Sequence, residues 1–453
     1  MSHEVEIGRG KRGRRAYTLD DIALVPARRT RDPEDVNVGW QIDAYHVDIP
    51  LMAAPMDSVM SPETAIAFGR LGGIGVLDLD GLWTRYEDPE PILDQIAHLG
   101  EEESIATLQR VYSEPIKPAL ITERLTQLRE AGVVVAGKLS PQRVQQHWRA
   151  VVDAGVDLFI IRGSTVSAEH VSSRREPLNL KRFIYELDVP VIVGGVCTDT
   201  AALHLMRTGA AGVLVGFGGG AAHSTRQSLG VHAPMATAIA DVAAARRDYM
   251  DESGGRYVHV IADGGIGRSG DLARAIACGA DAVMLGAAIA RAEEAPGRGW
   301  HWGSEATHPD MPRGQRVHVG TTGTLEQILY GPSTRADGSL NFVVPSNVPC
   351  PRPVTPRSRT FSAPRWSSPR TRRPDCRSST GTRPGLAQCM PSGRGRGCCI
   401  TASLSGCESG MVDRCRVIRL GPCKRDPVLL DVRAGIYRET GGGLKRILGS
   451  ASC

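Results

Sequence analysis

The chain lacks long apolar runs, has few aromatic residues and has almost no cysteine in its first three quarters. No stretch of about 18 consecutive apolar residues occurs, the length that a membrane span needs. The N-terminus, MSHEVEIGRGKRGRR, has no apolar segment of the kind found in a secretory signal. We therefore expect no membrane span, no secretory signal and a cytoplasmic location.

Charge and cysteine are distributed unevenly along the 453 residues. Before residue 346 there are 34 Lys and Arg against 43 Asp and Glu, and beyond it 20 against 6. Of the 11 cysteines, only Cys197 and Cys278 lie in the first part. The whole-chain net charge of +5 therefore averages an acidic body and a basic tail, and it does not indicate a nucleic-acid-binding protein.

The tail, residues 346–453, has no helical or strand periodicity over most of its length. A basic polyanion-binding tail and a metal-binding segment are two interpretations, but the cysteine spacings lack the paired short loops of a zinc site. Translation in the wrong reading frame is the third. Back-translating the segment VVPSNVPCPRPVTPRSRTFSAPRW and restoring one G near Val343 yields VGALKRAMPTTGYSEVKDVQRAEV, which alternates apolar and polar residues. We therefore predict a frameshifted, disordered tail after a folded domain of residues 1–345.

The body contains eight short apolar runs, each followed by an amphipathic segment. The runs are IPLMAAPM (49–56), GIGVLD (73–78), VVVAGKL (133–139), LFIIRG (158–163), VPVIVGG (189–195), AGVLVGF (211–217), YVHVIADGG (257–265) and AVMLGA (282–287). Continuous apolar strands that alternate with helices indicate a parallel sheet buried on both faces. Eight such units in about 240 residues predict a (β/α)₈ TIM barrel, in which functional residues follow the strand ends.

Glycine-rich strand ends in the seventh and eighth units indicate a phosphate site. The sequence IADGGIGRSGD lets the backbone approach a ligand and opens a helix whose first amides favour an anion. The sequence LGA at 285–287 is expected to complete the cradle. Asp263 is placed to accept hydrogen bonds from paired ribose hydroxyls. The simpler alternative is that the glycines form tight turns and Asp263 caps a helix.

The loop after the sixth run, GFGGGAAHSTRQSLG, is too glycine-rich for a simple connection, and its backbone is suited to line a ligand or an ion. It carries His223, Ser224, Thr225 and Arg226. From spacing alone, a solvent-exposed loop position is the expectation for His223. The loop does not match a Rossmann dinucleotide fingerprint.

These motifs, in order, resemble the IMP dehydrogenase/GMP reductase family, in particular its actinobacterial "IMP dehydrogenase-related" branch. The segments that carry the resemblance, within residues 15–342, are YTLDDIALVP, IPLMAAPMDSVMSPETA, GRLGGIGVLD, VPVIVGGVCT, GAAGVLVGFGGG, VHVIADGGIGRSGD and GADAVMLGAAIARAEEAPGRG. The resemblance implies a barrel that binds a purine mononucleotide (IMP, GMP or XMP), with NAD or NADP stacked against the base. It also implies a homotetramer, or a hetero-oligomer with paralogues.

The resemblance also implies roles for individual residues. Those expected to bind the nucleotide are Met56 near the base, Asp263 at the ribose, and Gly264, Gly265 and Gly286 toward the phosphate. Those expected along the cofactor are Gly216 and Gly218, and a potassium ion is a candidate near Gly218 and Gly220. Thr225 matches the catalytic threonine of the family.

The departures from the family pattern concern the reaction itself. The family's dehydrogenases attack the purine with a loop cysteine thiolate and pass hydride to NAD, and His223 stands at the position of that cysteine. Ala221 and Ala287 replace phosphate-binding serines, and Arg162 replaces an aspartate that helps to hold the cofactor. The flap Arg-Tyr pair, the glutamate replaced by Arg313 and the regulatory CBS insertion have no counterpart. Cys197 is a candidate substitute thiol, with Arg162 as its positive partner.

Three functions are consistent with these residues. The first is an IMP dehydrogenase-like oxidoreductase of guanine-nucleotide metabolism that converts IMP to XMP with NAD. The second is a GMP reductase, and the third is a catalytically impaired purine-nucleotide-binding paralogue. Family membership favours the first, whereas the loss of the cysteine favours the third.

Overall fold

The computed structural model describes residues 4–25, 36–163, 166–173, 176–343 and 428–429. Chain contacts define two compact units, Met1–Ser368 with Asp426–Cys453, and Pro369–Arg425. The second unit lies outside the described residues, as does most of the tail that we predict to be frameshifted. In the part of the chain that is described, no helix is both long and apolar enough to cross a membrane.

Eight parallel strands close into a barrel. They are β5 Leu51–Ala53, β6 Ile74–Asp78, β7 Ala136–Leu139, β8 Leu158–Arg162, β9 Val191–Val196, β10 Gly212–Val215, β11 His259–Asp263 and β12 Ala282–Leu285. Each strand pairs with the next along the chain, and β12 pairs back with β5. The predicted (β/α)₈ barrel is confirmed, and each strand lies within the apolar run that predicted it except β9, which extends one residue further, to Val196.

Helices connect consecutive strands around the outside of the barrel. They are α1 Pro62–Arg70, α2 Glu90–His98, α3 Glu101–Val111, α4 Pro118–Glu130, α5 Pro141–Asp153, α6 Leu180–Tyr185, α7 Asp199–Met206, α8 Thr225–Leu229, α9 Met235–Ser253, α10 Ser269–Cys278 and, after the barrel, α11 Leu325–Tyr330. The strands are buried on both faces because the helices cover one face and the barrel interior the other. This burial explains why the strand sequences are continuously apolar.

Short strands lie outside the barrel. The hairpin of β1 Glu4–Gly8 and β2 Lys11–Arg15 is extended by β15 Val428–Leu429, and β3 Trp40–Ile42 pairs with β4 Tyr45–Val47. After the barrel, β13 Trp300–His301 pairs with β14 Val317–His318. The segment that carries β13 and β14 continues from the end of β12, and several of its residues line the mouth of the barrel.

A buried ion cluster spans two neighbouring strands. The ammonium of Lys138 on β7 donates to Asp78 on β6 and to Asp80, each at 3.0 Å. Burial alone would lower the pKa of Lys138, but the two carboxylates outweigh it and raise that pKa. Burial, and then the charge of Asp78, raises the pKa of nearby Asp57 to about 7. The ends of β6 and β7 are therefore joined by charges as well as by apolar packing.

Helix α1 packs against β6 at a distance that only glycine allows. A methyl group on Gly75 would lie 2.6 Å from the Cα atom of Ala65 and 2.8 Å from its carbonyl oxygen. Both obstacles include backbone atoms of α1, so relief would require the helix to move away from the barrel.

We expect Gly75→Ala to lower the free energy of unfolding by about 1–3 kcal/mol, as overpacking in a tight core does. Gly100→Ala is the matched control, because a methyl group there meets no atom within 4 Å. Urea unfolding followed by circular dichroism measures both variants. Equal stability of the two would show that α1 does not approach β6 as closely as described.

Candidate active site

A cavity of about 540 Å³ opens at the carboxyl ends of the barrel strands. This volume lies in the range of small-molecule sites, about 300–1,000 Å³. The residues singled out from the sequence that line it are Met56, Gly216, Gly218, Gly220, His223, Thr225, Asp263, Gly264, Gly265 and Gly286. The fold therefore brings every one of these positions to one hollow. Their individual roles remain predictions.

Asp263 is already engaged in an ion pair inside the cavity. Arg162, at the end of β8, donates from Nε to one carboxylate oxygen at 2.6 Å and from Nη2 to the other at 3.3 Å. Burial would lower the pKa of Arg162, but Asp263, followed by Glu305, raises it above its usual value. The guanidinium therefore holds the Asp263 carboxylate in a fixed orientation at the strand ends. The alternative of Asp263 as a simple helix cap does not describe this geometry.

His223 is buried, so the expectation of an exposed loop histidine is wrong. Its side chain is 9% exposed, and its Nε2 atom lies 3.2 Å from Oε2 of Glu305 in an ion pair. Burial would lower the pKa of His223, but the Glu305 carboxylate raises it above its usual value. His223, followed by Arg162, overcomes the effect of burial on Glu305 and holds the pKa of that carboxyl well below its usual range.

The backbone between residues 313 and 315 fixes the relative positions of His223 and Glu305. The Ser224 amide donates to the Arg313 carbonyl, and the Gln315 amide donates to the Ala222 carbonyl, both at 2.8 Å. The Arg313 amide donates in turn to the Glu305 carbonyl at 2.9 Å. Arg313 thus contributes its backbone here, and Glu305 brings a carboxylate to the cavity.

Two glycine segments lie side by side in the wall of the cavity. Gly216 has φ +149°, and a methyl group on it would overlap the Asp263 carbonyl oxygen. A methyl group on Gly219 would lie 3.6 Å from the carbonyl carbon of Gly264 and from the amide nitrogen of Gly265, which is ordinary van der Waals contact. The backbones of the β10 and β11 loops therefore pack directly on each other and present peptide groups to the cavity. Thr225, buried at the start of α8, packs against Gly218.

His301 lies beside Gly286 and is uncharged. A methyl group on Gly286 would lie 3.6 Å from the Nε2 and Cε1 atoms of His301. Burial, and then the charges of His223 and Arg291, lowers the pKa of His301 to about 3. The other ring nitrogen, Nδ1, shares a hydrogen bond of 3.0 Å with the Ser58 hydroxyl.

Neither described cysteine lines the cavity. Cys197 follows β9 but is not among the lining residues, and burial raises the pKa of its thiol. A thiol with a raised pKa is a poorer source of thiolate. The hypothesis that Cys197 substitutes for the loop cysteine therefore has no support from geometry. In the described ranges no cluster of three or more His, Cys, Asp and Glu could hold a metal, and the potassium site near Gly218 and Gly220 stays a prediction.

Sequence reasoning missed Glu305 and His301. Both lie beyond the last barrel strand, Glu305 in the 3-10 helix Ser304–Thr307 and His301 in β13. The available signal was the segment GWHWGSEAT, in which His301 lies between two tryptophans and Glu305 follows three residues after the second. That pattern does not indicate which cavity the segment enters.

Comparisons with known proteins agree with the fold. The model of the IMP dehydrogenase / GMP reductase domain matches residues 16–307. An uncharacterized oxidoreductase of Mycolicibacterium smegmatis is 52% identical over 347 residues, which are 75% of this chain and 92% of that protein. An inosine-5′-monophosphate dehydrogenase of Methanocaldococcus jannaschii is 28% identical over 378 aligned residues, covering 63% of this chain and 74% of that protein.

A solved structure is similar over the same region. The crystal structure of an IMP dehydrogenase/GMP reductase-like protein from Corynebacterium glutamicum superposes with a TM-score of 0.73 at 49% identity. The superposition covers 76% of this chain and 92% of the Corynebacterium glutamicum chain. The chain therefore belongs to the IMP dehydrogenase/GMP reductase family of oxidoreductases.

Proposed function

We propose that the chain binds a purine nucleoside 5′-monophosphate in the barrel-mouth cavity and does not perform the family's thiol-dependent oxidation. The observation that carries the proposal is the convergence of Asp263, Gly265 and Gly286 on one hollow that no described cysteine lines. A carboxylate and two glycine strand ends suit the sugar and the phosphate of a mononucleotide. The reactive group that the covalent step needs is absent from the same hollow.

In the bound complex, the Asp263 carboxylate would accept hydrogen bonds from the ribose hydroxyls. Arg162 occupies one edge of that carboxylate, so the sugar would bind at the remaining lone pairs. The phosphate would lie toward Gly265 and Gly286, and Met56 would contact the base. Each of these groups lines the cavity.

The nicotinamide cofactor would lie along Gly216–Gly220. These residues line the same cavity, and four of the five are glycines whose backbone a flat ring can approach closely, so the wall fits such a group. NAD or NADP, when bound, supplies a hydride acceptor or donor. The residues of this chain would orient that ring against the purine and exclude water from between them.

His223 is not a replacement for a thiolate. A nucleophilic imidazole needs an unprotonated nitrogen, whereas the Glu305 carboxylate at 3.2 Å favours the imidazolium. We therefore assign His223 and Glu305 to the electrostatics of the nucleotide site and not to covalent attack.

Oxidation of IMP to XMP with NAD is the second candidate, and the position of Thr225 favours it. Thr225 matches the family's catalytic threonine and lines the cavity two residues from His223. GMP reduction with NADPH would use the same positions in the reverse direction. With either candidate function, we also propose that the chain assembles into a homotetramer or into a hetero-oligomer with paralogues.

We expect isothermal titration of the full chain to show binding of IMP or GMP, without NADH formation from IMP and NAD or NADPH oxidation with GMP. Asp263→Asn should weaken nucleotide binding by about 10- to 100-fold, because a charge-assisted hydrogen bond is lost. Asp153→Asn, on the exposed end of α5, is the matched control. The double variant Arg162→Gln/Asp263→Asn removes both buried charges if the single variant is unstable.

Each alternative has its own result. Turnover of IMP with NAD would select oxidation of IMP to XMP as the function. Loss of that turnover in Cys197→Ala would restore a thiol mechanism. Absence of binding by all purine nucleotides, with the control folded, would mean that the assignment of the cavity is wrong.

We expect Glu305→Gln to lower the pKa of His223 below its usual value, because burial and Arg162 remain once the carboxylate is gone. Histidine NMR titration, with the His223 signal assigned from His223→Asn, measures this change. The exposed Glu293→Gln is the control. An unchanged His223 pKa in Glu305→Gln would show that the two side chains do not interact.

The same pair predicts a pH window for stability. The pKa of Glu305 is lowered, so its contribution is lost as pH falls below about 4.5, and that of His223 is raised, so its contribution is lost as pH rises above about 6.5. Glu305→Gln should therefore be most destabilising between these values. Denaturant unfolding at pH 5.5 and 8.5 gives the comparison, and a larger loss at pH 8.5 would contradict it.

A further inference from the structure

Arg291 carries a cationic side chain in the cavity without a partner. It lines the hollow, its Nε atom is buried, and that atom has no hydrogen-bond partner among the described residues. The described part of the chain also contains no carboxylate within ion-pair distance of its guanidinium. A buried donor without an acceptor costs stability unless a ligand or water satisfies it. The position is therefore suited to an anion that enters the cavity.

The other arginines of the cavity are placed differently. Arg162 is held by Asp263 through two hydrogen bonds, and Arg268 is exposed at the start of α10. The residues that follow Gly286 are Ala287 and Ala288, and the β10 loop contributes Ala221, so this part of the lining offers no hydroxyl. A phosphate at Gly286 would have peptide groups and the Arg291 guanidinium as its donors.

The backbone that carries Arg291 is fixed relative to Gly286. Arg291 ends the 3-10 helix Ile289–Arg291, in which the amides of Ile289 and Ala290 donate to the Gly286 carbonyl at 3.0 and 2.9 Å. The Thr322 amide donates to the Arg291 carbonyl at 2.8 Å. When an anion binds, only the side chain of Arg291 therefore has to become ordered. Because the backbone is already fixed, less conformational entropy is lost and the affinity is higher.

The neighbouring imidazole leaves the positive charge to Arg291. His301 is uncharged, because burial and the surrounding cations oppose its protonation. At this end of the cavity the guanidinium is thus the permanent cation. A planar guanidinium can donate two parallel hydrogen bonds to a phosphate dianion.

We propose that Arg291 binds the 5′-phosphate and is the residue by which the site distinguishes a nucleotide from a nucleoside. The proposal rests on the proposed function and adds a specific ligand to it. Guanidinium recognition here takes the place of side-chain hydroxyls. An alternative source of the same chemistry is the pyrophosphate of a dinucleotide, which the experiment separates from the mononucleotide.

The test compares Arg291→Ala and Arg291→Lys with the full-length parent by isothermal titration with IMP, inosine, inorganic phosphate and NAD. We expect the parent to prefer IMP to inosine and Arg291→Ala to weaken IMP by about 10- to 100-fold, with inosine and NAD unchanged. Arg291→Lys should recover part of the loss, because it keeps the charge and loses the planar fork. Arg298→Ala, an exposed arginine paired with Glu90, is the control and should bind IMP normally.

Four results would overturn the assignment. Unchanged IMP affinity in Arg291→Ala, with the parent still preferring IMP to inosine, would place the phosphate on other groups and leave the proposed function intact. Equal losses for IMP and inosine would indicate a structural role, and a loss for NAD alone would assign Arg291 to the dinucleotide. Failure of the parent to bind IMP and inosine would remove the proposed function and this inference together.

Discussion

Closure of the parallel barrel is the constraint on which the site depends. Eight strands that run in one direction and hydrogen-bond in a ring must end on the same rim. Residues as far apart in sequence as Met56 and Gly286 therefore share one cavity. Because the loops of β10 and β11 pack backbone against backbone, glycine at 216, 219, 264 and 265 maintains the opening as well as lining it. The chemistry of the cavity is added to this geometry by a few charged side chains.

Two buried ion pairs set the electrostatics of the mouth. Arg162 holds Asp263 from β8, and Glu305 holds His223 from the segment beyond β12. Each pair places opposite charges side by side, which offsets part of the cost of burying them. A ligand that enters the cavity therefore meets two fixed ion pairs and the Arg291 guanidinium. Such a site favours ligands that bring hydroxyls and an anion over purely apolar ones.

The resemblance places His223 where the family's dehydrogenases carry a cysteine, and the proposed function depends on that difference. A thiolate adds to a purine ring and later leaves, whereas an imidazolium paired with a carboxylate serves as a fixed cation and donor. A barrel-mouth cavity lined by Asp263 and glycine strand ends, with no described cysteine in its lining, is the combination expected under the proposed binding function. Arg291, whose Nε atom has no hydrogen-bond partner among the described residues, fits the same proposal, because it would strengthen ground-state binding without supplying a reactive group.

The fold and the location of the site could be predicted from sequence, but the partners inside the site could not. Apolar runs ending in glycine identify strands such as β11 and β12 locally, and parallel closure then implies that Asp263 and Gly286 lie on the same rim. Arg162 ends β8 and Asp263 ends β11, and β9 and β10 lie between these strands. Their pairing requires both side chains to point into the barrel mouth at the same height, which the sequence does not specify. Glu305 depends on the path of a segment with little regular structure, and the exposed-loop expectation for His223 failed because that segment covers it. The interpretation of the tail beyond residue 345 comes from its composition and from back-translation in another reading frame. The tail lies almost entirely outside the described residues.

A crystal structure of the full chain grown with IMP tests the central claim most directly. We expect the nucleotide in the barrel mouth, with its ribose hydroxyls on the Asp263 carboxylate, its phosphate beside Gly286 and no covalent bond from the purine to the protein. IMP bound away from the strand ends, or with its phosphate directed to Met56 and its base to Gly286, would contradict the account.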